Sequence, residues 1–137
     1  MKNLLFAVTM GFLISSASAA VYEVSVSGPG GHSNGSYGNT NAVHAGSRMI
    51  MELEKSLPCA VVTDFRGGAT VNAIAADTHF LIHTQMCKTP EADNLKAIEK
   101  ALTNGRDKEN QFRRVEAGDM VRGFPADIKF FVKVRLQ

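Results

Sequence analysis

The chain of 137 residues contains no tryptophan and only two tyrosines, and its fifteen Lys and Arg nearly balance thirteen Asp and Glu. A formal charge of +2 leaves no basic footprint for nucleic acid, and the shortage of Trp and Tyr removes a base-stacking platform. Cysteine is scarce: Cys59 and Cys87 stand far apart, outside the C-x-x-C spacing of a redox motif or zinc knuckle. No apolar run approaches the roughly twenty residues that a bilayer crossing needs. A shorter run, Leu4 to Ile14, follows Lys2 and precedes Ala17-Ser18-Ala19. That is the basic, apolar and small-residue order of a cleavable signal. Residues 1–19 are therefore expected to be a bacterial-type signal peptide and 20–137 a single periplasmic or secreted domain. With 45% apolar and 20% charged residues, the composition is that of an ordinary globular protein.

Period-two alternation marks Val21 to Ser27 as a half-buried strand, with Tyr22, Val24 and Val26 on one face. Gly28 to Asn41 is a loop rich in Gly, Ser and Asn, and Asn39, Thr40 or Asn41 can cap the helix that follows. Ala42, Gly46, Met49, Leu53 and Leu57 give that helix an apolar stripe, and Pro58 ends it. Ala60 to Arg66 alternates again, with Val61, Thr63 and Phe65 opposite Val62, Asp64 and Arg66. Another strand runs from about Thr78 to Gln85, with Phe80 and Ile82 inward. Thr89-Pro90-Glu91 opens a second helix striped by Leu95, Ile98 and Leu102. Asn104-Gly105 either ends this helix or lies within it, and the stretch to Met120 has no clear period. Ile128 to Leu136 is the cleanest strand. This order predicts an α+β, ferredoxin-like βαββαβ two-layer sandwich: a four-stranded antiparallel sheet with two helices on one face. The first and third strands should be central, and the second and fourth should form the edges.

In an antiparallel pair, opposed residues keep a constant index sum, so aligning Cys59 with Cys87 sets Asp64 against Ile82 and Arg66 against Phe80. The turn tip then falls near Ala73, among turn residues, and a Cys59–Cys87 disulfide is expected. Lys129, Lys133 and Arg135 protect the last strand from unwanted pairing. The second strand, with Val62, Asp64 and Arg66 expected to point outward, is less protected, which predicts a homodimer built on that edge.

Familiar ligand motifs are incomplete. Gly28-Pro29-Gly30-Gly31-His32-Ser33 follows a strand but has neither the third glycine of a dinucleotide fingerprint nor the Gly-Lys-Ser/Thr of a P-loop. His79 and His83, four apart on a strand, sit about 13 Å from each other, too far to share one zinc. No cofactor or metal site is expected.

Three patterns occur in order: a strand leading to Gly28-x-x-x-His32-Ser33, then Asn41-Ala42 opening a helix, then Gly67-Gly68-x-x-x-Asn72-x-Ile74. Together they resemble the lid, or dimerisation, domain of the two-zinc exopeptidases and deacylases of clan MH. That group includes carboxypeptidase G, aminoacylase, peptidase T and succinyl-diaminopimelate desuccinylase, and the likeness spans Val21 to Leu136. The resemblance implies a lid that pairs with its copy. His32 then matches the lid histidine that reaches a substrate carbonyl across the dimer, and Asn72 matches the asparagine that hydrogen-bonds substrate. An oxyanion donor of this kind contributes about 3–4 kcal/mol where it operates. The departures are specific. The family's zinc-ligand motifs are missing, Ala75 replaces the usual proline, and Gln85 stands where the family has an arginine. The expectation is an exported, non-catalytic, stand-alone lid that homodimerises and binds a peptide or protein partner. The alternative is a lid completing a separately encoded zinc peptidase or deacylase in trans.

Overall fold

The computed structural model describes residues 20–136, so the expected signal segment lies outside the described residues. The elements in chain order are β1 (Ala20–Ser27), β2 (Gly31–His32), α1 (Ala42–Ser56), β3 (Val61–Gly67), β4 (Ala73–Ile74), β5 (Asp77–His83), α2 (Glu91–Phe112), β6 (Met120–Val121), β7 (Phe124–Pro125) and β8 (Lys129–Leu136). The main sheet has four antiparallel strands in the order β3-β5-β1-β8. The first and third long strands are central, and the second and fourth are the edges, as the sequence predicts.

Alternation does most of this work. Tyr22, Val24 and Val26 of β1 and Phe80 and Ile82 of β5 are buried under the helices. Met49 and Leu53 of α1, Ile98 and Leu102 of α2, and Ile128 just before the last strand close the same core. Asn41 caps α1: its side-chain oxygen accepts from the backbone N–H groups of Val43 at 2.9 Å and His44 at 3.1 Å. The buried carboxylate of Glu109, in the last turns of α2, accepts from Asn41 N at 3.0 Å, Arg48 Nε at 3.0 Å and Arg113 Nε at 3.1 Å. One acidic side chain thus ties the start of α1 to the end of α2.

One open alternative is decided and one expectation needs correction. Asn104-Gly105 lies within α2, which continues to Phe112. A β-carbon on Gly105 would lie 2.4 Å from Met49 N, so this glycine serves the close approach of two helices rather than a turn. Helix α2 ends at Arg113–Arg114, where Arg114 takes a φ of 57° and Val115 N donates to the Asn110 carbonyl at 2.9 Å. The stretch without a clear period beyond it contains the small hairpin β6–β7.

The facing and register of β3 differ from expectation. Val62 pairs with Ile82 and packs on the core, so it does not point outward. Val61 and Thr63 take the outer face instead, and Thr63 Oγ1 lies 2.8 Å from His83 Nε2. The register then shifts between Thr63 and Arg66, with Asp64 at a φ of 54°. This bulge returns Phe65 to the inner side, 6.0 Å from the Phe80 ring and against Gly46. Arg66 consequently faces His79, not Phe80. The cysteines lie beyond the ladder, where register is no constraint. Cys59 and Cys87 are joined at the open end of the β3–β5 pair, Cα to Cα 5.1 Å.

Candidate functional site: the β2–β4 turn

The glycine-rich loop after β1 is held at both ends. Gly28 N donates to the Ala76 carbonyl at 2.9 Å, and Asn39 Nδ2 donates to the Gly30 carbonyl at 2.9 Å. Gly31 has a φ of 130°, and a β-carbon there would lie 2.3 Å from Ser36 Oγ, so no side chain fits. From this anchor β2 pairs with β4, His32 opposite Ala73, and Ser33 N donates to the Asn72 carbonyl at 2.9 Å. His32 and Asn72, forty positions apart in sequence, are brought side by side. The Asn72 amide nitrogen, as placed, is 3.3 Å from His32 Nε2.

The proton on His32 follows from its neighbours. Asn34 N–H points at His32 Nδ1 over 3.2 Å, so Nδ1 accepts and the proton of the neutral ring is on Nε2. Nε2–H needs an acceptor, which assigns the Asn72 amide with its oxygen toward the histidine. Turned this way, the amide places its nitrogen 2.7 Å from Thr70 Oγ1, which accepts from it in place of donating to the amide oxygen. This assignment gives both ring nitrogens and both ends of the amide a partner. It leaves an exposed, oriented Nε2–H at the rim of a groove of about 310 Å³ lined by Thr70, Asn72, Ile74 and Asp77. Such a donor can turn from the Asn72 oxygen to a ligand carbonyl.

Sequence reasoning singled out His32 and Asn72 but not Asn34 or Thr70. Their roles depend on turn geometry and carry no motif of their own. Gln85 follows the end of β5, roughly 25 Å along the strand direction from Asp77. Within one chain it cannot share a ligand with His32.

The outer sheet face carries a second cluster. Ser25 Oγ lies 3.1 Å from His79 Nδ1, and Asp77 Oδ2 lies 3.6 Å from His79 Nε2. Ser25 belongs to a central strand paired on both sides, so the neighbouring amides are committed to the ladders and cannot form an oxyanion hole. Among the described residues no group of three or more His, Cys, Asp or Glu side chains could hold a metal ion. Among the same residues no helix is long and apolar enough to cross a membrane.

Comparison with known proteins bears on the family and the fold. A family model described as the peptidase dimerisation domain matches residues 14–111. No curated protein sequence matches the chain. An aminobenzoyl-glutamate utilization protein from Klebsiella pneumoniae superposes with a TM-score of 0.59 at 11% identity, covering 87% of this chain and 28% of that one. The aminopeptidase PepT from Bacillus cereus gives 0.59 at 12% identity, over 87% and 29%. A hydantoinase/carbamoylase family amidase from Burkholderia ambifaria gives 0.58 at 17% identity, over 86% and 27%. At such identities the likeness is one of fold, and the chain spans less than a third of each of these proteins. The described residues form this one domain, without a catalytic domain among them. By its sequence match and its fold, the chain belongs to the peptidase dimerisation domain family.

Proposed function

We propose that the chain is an exported, non-catalytic lid domain that homodimerises through β3 and presents the His32–Asn72 turn to a peptide or protein partner. The observation that carries this reading is the contrast between the two sheet edges. Strand β8 bears Lys129, Lys133 and Arg135 on its outer face, whereas β3 bears Val61 and Thr63 and then the oppositely charged Asp64 and Arg66. Antiparallel addition of β3 to its own copy uses the regular stretch Val61 to Thr63, because the bulge at Asp64 interrupts the ladder beyond it. Cross-strand pairs contribute only about 0.2–1 kcal/mol each, so affinity comes from apolar burial, with α1 alongside its copy. Sedimentation equilibrium of the purified protein should give a dimer. Val61→Lys, on the exposed face, places like charges across the two-fold and should yield monomers without loss of fold. A wild-type monomer at tens of micromolar (about, since area does not convert to affinity) overturns the reading.

The assigned Nε2–H of His32 favours a second reading, a lid that completes a separately encoded zinc peptidase or deacylase in trans. His32 would then donate to the substrate carbonyl while the partner supplies the metal centre. A pull-down from periplasmic extract separates the two readings. Recovery of a zinc hydrolase whose activity rises with added wild-type protein, but not with His32→Ala, supports the second.

A further inference from the structure

The dipeptide Asn-Gly occurs twice, at Asn34-Gly35 and at Asn104-Gly105, and the structure puts the two copies in opposite settings. In this pairing the nitrogen of the second residue, unshielded by a β-carbon, readily reaches the side-chain amide carbon of the first. Asn34 and Gly35 are both exposed, in the turn that follows β2. The backbone bond made there by Gly35 N runs 3.1 Å to the His32 carbonyl, at the surface of a short turn. Asn104 and Gly105 instead lie within α2, where each N–H is bonded to the preceding turn. Gly105 is buried against α1, so closely that a β-carbon would lie 2.5 Å from Met49 Cα. Ring closure at Asn34 needs only a local opening of the turn, whereas closure at Asn104 needs α2 to unwind and leave α1.

We propose that Asn34 is a site of spontaneous deamidation and that Asn104 is protected from it. Gly35 N attacks Cγ of Asn34, a carbon–nitrogen bond forms, and the amide nitrogen leaves as ammonia, carrying the proton that Gly35 N gives up. The resulting succinimide is opened by water at either carbonyl, giving an aspartate or an isoaspartate. The net change is water in and ammonia out.

The location gives this chemistry a consequence. Asn34 N–H is the group that holds His32 Nδ1 as an acceptor. Opening to isoaspartate adds a carbon to the main chain just before Gly35 N and Ser36 N, both of which donate to the His32 carbonyl. Ageing at Asn34 therefore disturbs the backbone bonds that hold His32 in place, whatever partner the turn serves.

The experiment is peptide mapping by mass spectrometry of the purified full chain, held warm in mildly alkaline buffer and sampled over days. Conversion at Asn34 should outpace that at Asn104 by more than about tenfold, with both aspartate and isoaspartate products, because only Asn104 requires sub-global opening. In denaturant the two rates should converge. Gly35→Ala should slow conversion at Asn34 to the level of Asn104. Only Arg122 Nη2, at 3.9 Å, comes near a β-carbon at that position, so the variant fits the native turn. Equal rates in the folded protein, an unchanged ratio in denaturant, or an unaffected rate in Gly35→Ala would each overturn the proposal.

Discussion

Replacing Gly105 by alanine sets two opposed effects against each other in one residue. Helix propensity alone favours the change, since alanine in a helix interior is about 1 kcal/mol better than glycine. Packing opposes it. The added carbon would lie 2.4 Å from Met49 N, 2.5 Å from its Cα and 2.6 Å from its Cγ. Two of those atoms are backbone and cannot rotate away. Restoring ordinary contact needs α1 and α2 to part by about an ångström, which opens the interface that buries Met49, Ile98 and Leu102. Overpacking of this kind costs 1–3 kcal/mol and sometimes more. With backbone as the obstacle, the upper end, about 3 kcal/mol, is the appropriate figure, and the net effect is a loss of about 2 kcal/mol. A domain of this size has a total stability of roughly 5–15 kcal/mol, so the change is easily measured. Urea unfolding should show a lower midpoint with an unchanged slope, since the area exposed on unfolding hardly alters. Gly35→Ala, where only Arg122 Nη2 at 3.9 Å comes near the added β-carbon, is the control for the handling of alanine variants. A higher midpoint for Gly105→Ala would refute the packing argument and restore the propensity one.

Glu109→Ala should destabilise by roughly 2–3 kcal/mol in thermal denaturation, less than a fully buried pair loses, because Arg48 and Arg113 are part-exposed and can turn to water. Cys59→Ser with Cys87→Ser should lose about 3–4 kcal/mol, the unfolded-state entropy released by opening a loop of 28 residues, read as a denaturation midpoint matching that of the reduced wild type. Tyr22 should make stability fall at high pH. Its phenol is raised above the ordinary value, first by burial and then by its hydrogen bond to Glu91, so the unfolded chain loses this proton before the folded one does. The stabilisation is complete below about pH 10 and declines as pH rises toward the folded value, and Tyr22→Phe should flatten that decline in a pH series of chemical denaturations.

The parts of this fold that a linear reading reached are those governed by strict periods. Tyr22-x-Val24-x-Val26 and Phe80-x-Ile82 alternate with one face to the core, and either face choice elsewhere would bury charge. Strand β3 lacks that discipline. Val61 and Val62 are adjacent and equally apolar, so the pattern permits both facings, and the bulge at Asp64 decides between them. The fate of Asn104-Gly105 was equally hidden, because a glycine before a turn and a glycine beneath a crossing helix look alike until the second helix is in place. The candidate site was half legible. His32 and Asn72 belong to motifs, whereas Asn34 and Thr70 act through one backbone amide and one hydroxyl whose positions the turn alone sets. The stretch beyond α2 has no period to read, and its small hairpin is fixed by contacts instead, such as Ala126 N to the Asp119 carbonyl at 2.8 Å.

The pairing of β1 with β8 has a consequence for how the chain reaches this structure. The first strand described is central, and the strand that completes one side of it is the last, Ala20 opposite Leu136. Contacts between such distant segments are slow to form, because the closure entropy of the whole intervening chain is lost before any ladder bond returns it. A chain growing from its N-terminus therefore carries β1 open along that side until nearly all of the domain has been made. Strand β8 is an edge in space but a keystone in time. Shortening the chain by that one strand should prevent stable folding, not merely trim the border of the sheet, and a pulse-labelled translation series probed by protease would show resistance appearing only once β8 has emerged.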